Sequence, residues 1–123
     1  MVELSFFNLI REKSLLKTDQ AEEIKIIVSG HAGFDKRSKD IVCAAISAII
    51  QTAIISITRV CGLKQKVKQK SGYLESVIKV KSFDNLQLNN LLIVLNTMLT
   101  GLEEIMNLYP DSITITFGNY NKR

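Results

Sequence analysis

The stretch Ile41 to Ile57, IVCAAISAIIQTAIISI, carries no charged residue and sets Ile41, Ala44, Ala45, Ala48, Ile49, Thr52, Ala53 and Ile57 at intervals of three and four. That period is the mark of one face of an α-helix. Asp40, immediately before it, is the expected N-cap, because a carboxylate there accepts from backbone N–H groups that have no partner in the first turn. The expected end is near Cys61 and Gly62, where glycine takes the positive φ of a C′ position. At about seventeen residues the stretch is marginal for a membrane span. Its alanines, with Ser47, Gln51, Thr52 and Ser56, suit a tightly packed core helix, so no membrane association is expected.

Upstream of this helix, Leu4, Phe6 and Leu9 with Phe7 and Ile10 read as a first strand. Glu22 to Ser29 (EEIKIIVS) reads as a second, separated by the polar stretch Lys13 to Gln20, and the two can pair as a hairpin. Gly30 to Lys39 (GHAGFDKRSK) has no sustained period and reads as a loop. Downstream, a lysine-rich link leads to a third strand, Gly72 to Val80 (GYLESVIKV). A second helix starts at Asn85 or Leu86 and runs to Leu108, with Leu88, Leu91, Leu92, Leu95, Leu99, Leu102, Ile105 and Met106 on its apolar face and Pro110 as its stop. Ile113, Ile115 and Phe117 alternate with Thr114 and Thr116 as a last strand. The order β-β-α-β-α-β implies a two-layer α/β (α+β) sandwich, two helices packed on one face of a mixed or antiparallel sheet, in a single domain over residues 1–123. The other sheet face, or an edge strand, is left for an oligomer contact.

A chain of 123 residues with 46% hydrophobic and 23% charged residues has the balance of a globular domain able to bury a core without staples. Its two cysteines, Cys43 and Cys61, stand eighteen positions apart. On a straight helix that is roughly 27 Å, too far to bridge, which points to thiols in a reducing compartment. Glu3, then Arg11, Glu12 and Lys13, interrupt any secretory leader pattern, so a cytoplasmic location is expected. The net charge of +4 is concentrated in Lys64, Lys66, Lys68 and Lys70 and in Lys122 and Arg123. Such a balance favours an anionic neighbourhood such as RNA or the ribosome. The alternative is a solvated lysine link, since no aromatic is interleaved in the 64–70 run to stack on bases.

Cys43 is the focus of the chemistry. With Asp40 as N-cap it falls at N3, where a thiolate can accept a backbone N–H and feel the positive end of the helix dipole. His31, the one histidine in the chain, is the side chain suited to take and return a proton near neutrality. It precedes Cys43 by twelve residues, which lets the intervening segment fold back over the helix start and makes a Cys–His pair geometrically reasonable. Asp40 can cap the helix, orient the imidazole, or do both. Ser47, one turn after Cys43, can donate to the sulfur or to substrate backbone, or simply pack. Amides of Cys43 and its loop-side neighbours are candidates for an oxyanion hole, Gly30 and Gly33 permit a tight path, and Phe34 can cover the cleft or anchor the loop. Against this stands the plain reading of a cysteine buried among alanines and a histidine on the surface. One histidine and two separated cysteines make no closed zinc set, and Gly30-His31-Ala32-Gly33 lacks the lysine-hydroxyl ending of a nucleotide loop, so neither metal nor cofactor is expected. Cys61, at the other helix end, is expected to be the less reactive thiol.

The residues Ser29-Gly30-His31-Ala32-Gly33-Phe34, followed after the variable Asp35 to Lys39 by Asp40-Ile41-Val42-Cys43-Ala44-Ala45-Ile46-Ser47-Ala48, resemble the ribosomal-processing cysteine protease family, Prp. The likeness is sharp from Ser29 to about Ala53. It continues more loosely in size and element order, including Tyr109-Pro110 after the leucine-rich helix. One departure is Ser38-Lys39-Asp40, where many members carry Gly-Lys-Asp.

The resemblance implies that His31 is the catalytic histidine, Cys43 the nucleophile, and Asp40 and Ser47 the supporting motif positions, on a homodimeric α/β sandwich. It further implies a substrate: the N-terminally extended large-subunit ribosomal protein L twenty-seven, cut after an aromatic and before a small residue during ribosome biogenesis. The rival class is a basic ribosome-associated or RNA-binding module without covalent chemistry.

Overall fold

A computed structural model describes residues 1–18, 21–30 and 37–119, the side chains of residues 37–40 excepted. The chain runs β1 (Val2–Phe7), β2 (Leu9–Glu12), β3 (Leu15–Thr18), β4 (Glu23–Ser29), α1 (Arg37–Arg59), β5 (Lys66–Lys70), β6 (Tyr73–Lys79), α2 (Asn85–Leu108), β7 (Ile113–Gly118). Five strands form one sheet in the order β5-β6-β4-β1-β7, while β2 and β3 pair as a separate hairpin. Only the β1 and β7 pair is parallel, so the sheet is mixed, and β1 lies antiparallel beside β4 as the two-strand reading anticipates. Two helices on a mixed sheet confirm the α+β class. The element order gains a hairpin and an edge strand.

Alternation along the strands separates the two faces of the sheet. Val2, Leu4 and Phe6 of β1, Ile24 and Ile26 of β4, Leu74 and Ile78 of β6 and Ile113 of β7 are buried. They form one core with Ile46, Ile50, Ile54 and Ile57 of α1 and Leu91, Leu95, Met98, Leu99 and Leu102 of α2. Ser76, fully buried among them, donates to Gln65 Oε1 at 2.7 Å, and Gln65 Nε2 in turn donates to the Ile54 carbonyl, fastening α1 to the sheet. Both helices are long and apolar enough to cross a membrane by length and composition, yet each lays one face on this core.

The sequence reading of α2 holds at both ends. Asp84 caps it, its carboxylate accepting from the Gln87 N–H while the Gln87 side chain accepts from the Asp84 N–H, a reciprocal box. Gly62, with φ of 69°, takes the left-handed conformation expected after α1. Two readings of α1 are corrected. It begins at Arg37, so the last three residues of the stretch read as a Gly30 to Lys39 loop are helical, Asp40 is the fourth helical residue rather than the cap, and Cys43 is the seventh rather than N3. Arg37, Ser38 and Lys39 are compatible with a helix, and nothing forces the start to wait for a cap residue. The buried face is also rotated: Ile46, Ile50, Ala53, Ile54 and Ile57 are buried, whereas Ile41, Ala44, Ala45, Ala48 and Thr52 are exposed. Alanine and isoleucine recur on more than one side of this helix, so the three- and four-residue spacing marks a helix without fixing which side meets the sheet.

Candidate active site

Cys43 is half-buried on the second turn of α1, packed against the core on one side. On the other it borders a cleft of about 360 Å³. Among the described residues, three stretches wall that cleft: α1, the paired ends of β1 and β4, and the turn between β5 and β6. From α1 come Cys43, Ser47 and Gln51, successive residues at i, i+4 and i+8 on one helix face. Gln51 Nε2 donates to Ser47 Oγ at 3.0 Å, so the hydroxyl oxygen is engaged as acceptor and keeps its own proton to donate. Val2, Val28, Ile46, Ile50 and Leu74 give the cleft an apolar floor.

Gly30 closes the end of β4 and immediately precedes His31. Its φ is 97°, and a Cβ there would run into the Met1 backbone carbonyl. Its N–H donates to the Gly72 carbonyl at 3.0 Å, tying the β4 end to the β5–β6 turn across the cleft mouth. The path into the histidine segment therefore requires glycine for two reasons, conformation and closeness.

Opposite α1, Tyr73 and Lys70 face each other across the β5–β6 pair, with Lys70 Nζ 5.7 Å from the Tyr73 ring centre. The Tyr73 hydroxyl donates to Glu75 at 3.0 Å, and Lys25 Nζ lies 3.2 Å from the same carboxylate. Burial works to raise Glu75, but the hydrogen bonds from Lys25 and Tyr73 and the charges of Lys25 and Lys68 outweigh it and hold the carboxyl below its usual range. Tyr73 is pushed up, by burial first and then by its bond to Glu75. A lowered carboxylate contributes stability above its unfolded pKa and loses it as pH falls through the folded value; a raised phenol contributes below about 10 and loses it as pH climbs. Tyr73→Phe should thus cost about 1 kcal/mol of unfolding free energy at neutral pH, with the deficit shrinking toward acid and toward strong base. Urea unfolding of both proteins at several pH values checks this; a deficit constant with pH would contradict it.

The structure gathers Cys43, Ser47 and Gly30 around one cleft. The Asp40 backbone lies one turn before Cys43. His31, Gly33, Phe34 and the Asp40 side chain lie outside the described residues. Because Cys43 is in the second turn, its N–H belongs to the helix ladder, so it does not supply the oxyanion donor that an N3 position suggested. Gln51, Lys70 and Tyr73 are cleft residues that the sequence reading missed. Gln51 was within reach, being one further i+4 step from Ser47; Lys70 and Tyr73 arrive only through strand pairing. Cys61, just past the end of α1, donates to the Asn90 carbonyl at 3.8 Å and does not line this cleft.

The family model for cysteine protease Prp matches residues 12–114, a span that includes both His31 and Cys43. Among solved structures, SMU.848 from Streptococcus mutans is similar with a TM-score of 0.64 and 19% identity, covering 98% of this chain and 96% of that one. The ribosomal processing protease Prp from S. aureus, bound covalently to a product peptide, gives 0.68 and 19%, covering 95% of this chain and 99% of that one. The same protease with a substrate peptide gives 0.66 and 18%, with the same coverage. At these identities the structures speak for the fold. No curated protein sequence is significantly similar to the chain. The match over most of its length, with a cysteine set on the wall of an open cleft, makes this chain a member of the cysteine protease Prp family.

Proposed function

We propose that this chain is a ribosomal-processing endopeptidase that removes the N-terminal extension of ribosomal protein L twenty-seven in the cytoplasm, with Cys43 as nucleophile and His31 as base. The observation that carries the reading is Cys43 beside Ser47 on the wall of an apolar-floored cleft, in a chain of this family. S. aureus Prp has been solved with a substrate peptide and with a covalently linked product, which supports a peptide as occupant and a covalent step.

His31 takes the Cys43 proton and the thiolate attacks the scissile carbonyl, forming a carbon–sulfur bond. Ser47, oriented by Gln51, donates to the developing oxyanion. Collapse breaks the carbon–nitrogen bond, His31 returns its proton to the leaving amine, and water then releases the acyl fragment. Incubating the purified protein with the extended precursor and weighing the products tests the reading. Two fragments whose masses sum to the precursor plus one water are expected; an intact precursor contradicts it.

The active form is a homodimer, and the partner copy covers α1. Ile41, Ala45, Ala48, Thr52 and Ile55 line its outer side at heptad-like spacing; all are exposed, Ile41 at 70% and Ile55 at 55%. A charge-free stripe of small and branched residues is self-complementary about a two-fold axis. Light scattering should give twice the chain mass, and Ala48→Glu should give the monomer; a variant that stays dimeric rules out this face.

A further inference from the structure

The lysine run is not a link but the outer edge of the sheet, and its surroundings carry an inference beyond cleavage. β5 pairs with β6 so that Lys66 and Lys68 stand opposite Val77 and Glu75, on the sheet face away from the helices, while Lys70 stands opposite Tyr73 at the strand end that borders the cleft. Side chains two residues apart on a strand are about 6.8 Å apart, a spacing that a phosphodiester backbone can match. Lysines on an edge strand also discourage edge-to-edge pairing. That explanation covers Lys66 and Lys68 but not the lysines that converge on them from elsewhere.

Lys25 from β4, Lys79 from β6 and Lys64 from the segment before β5 line the same groove, about 840 Å³ in volume. Two acids share it. Glu23 is buried, and Glu75 is engaged by Lys25 and Tyr73, so the charge presented to solvent is positive. Phe83, half-buried and packed against the core, also borders the groove. Protein interfaces are depleted in lysine and anchored by buried apolar side chains, whereas a lysine-lined groove is the footprint of nucleic acid. The groove also leads to the active cleft, since β5 ends at Lys70, which lines it.

We propose that the groove formed by Lys64, Lys66, Lys68 and Lys79 binds the phosphodiester backbone of RNA, docking the protease beside its substrate on an RNA-bearing particle. The choice of RNA over DNA rests on the ribosomal-processing reading; the anion site itself does not. The test is fluorescence anisotropy with a labelled single-stranded RNA across a range of potassium chloride concentrations. The wild-type protein is compared with the triple variant Lys64→Gln, Lys66→Gln, Lys68→Gln, and with a control carrying Lys13→Gln, Lys17→Gln and Lys81→Gln. The groove variant should bind at least about tenfold more weakly, with a log–log salt slope shallower by about 2, as three lost phosphate contacts on a single strand require. It should still cut a free precursor peptide at the wild-type rate. The control should bind as wild type. Equal losses in both variants would reduce the effect to net charge and overturn the groove. Salt-independent binding, full displacement by polyglutamate, or tighter binding to DNA of the same sequence would overturn the assignment to RNA. Because cleavage of free peptide is measured separately, failure of RNA binding leaves the protease reading standing, and the reverse.

Discussion

Cys43→Ala should abolish cleavage of the extended ribosomal precursor, a loss of about 10⁴-fold or more, while leaving the fold unchanged. Removing the nucleophile deletes the covalent route altogether and leaves only binding and transition-state polarisation. The fold should survive because Cys43 is half-buried at the edge of the core, and the change removes one sulfur facing a cleft. Cys61→Ser supplies the contrast. Its thiol donates to a helix carbonyl well away from the cleft, a bond that a serine hydroxyl can also make, so cleavage should persist near the wild-type rate. Initial rates and far-ultraviolet dichroism on the three proteins decide the matter. Turnover by Cys43→Ala, or its loss in Cys61→Ser, would move the chemistry elsewhere.

Gly30→Ala should be the most damaging small substitution outside the nucleophile. A side chain at φ of 97° is strained, and the added carbon meets the Met1 carbonyl, which cannot yield without moving the first residues of β1, including Val2 on the cleft floor. A loss of at least about 2 kcal/mol is expected. Cleavage should fall by about a hundredfold even where the protein stays folded, because a displacement of about 1 Å near reacting groups can cost that much. Gly62→Ala isolates the conformational part: its φ is 69° but nothing lies within 4 Å of the added carbon, so it should lose only about 1 kcal/mol and keep its activity. Similar losses of stability and rate in both variants would remove the special role of Gly30.

These outcomes separate what the amino-acid order declares from what only folding assembles. α2 was legible because leucines at helical spacing and Pro110 agree, and the structure places it at Asn85–Leu108. β4, β6 and β7 were legible because one face of each is buried, which forces alternation. The β2–β3 hairpin was hidden. Lys13 and Ser14 take positive φ at the hairpin turn without being glycine, so nothing announced that turn, while the corner before β2 rests on a lone Asn8, which takes positive φ and donates through its side chain to the Glu23 carbonyl. Leu9 and Ile10, which read as part of the first strand, belong to β2, and β3 lies inside the stretch that reads as polar; the hairpin is pinned by the Asn96 side chain accepting from the Leu16 N–H at 2.7 Å. β5 escaped for a different reason: an edge strand exposed at every position shows no apolar alternation. Cys43 and Ser47 could be read together because they share one helix face, whereas the cleft's far wall comes from a turn some thirty residues on and left no local signal.

The central claim is that Cys43 becomes covalently acylated by the substrate with the help of His31. Rapid quenching of a single turnover, followed by intact-mass measurement and peptide mapping, tests it most directly. The account predicts the N-terminal fragment held as a thioester on the peptide containing Cys43, and no adduct in His31→Ala. Cleavage proceeding with no adduct at any time, or an adduct on Cys61, would contradict it.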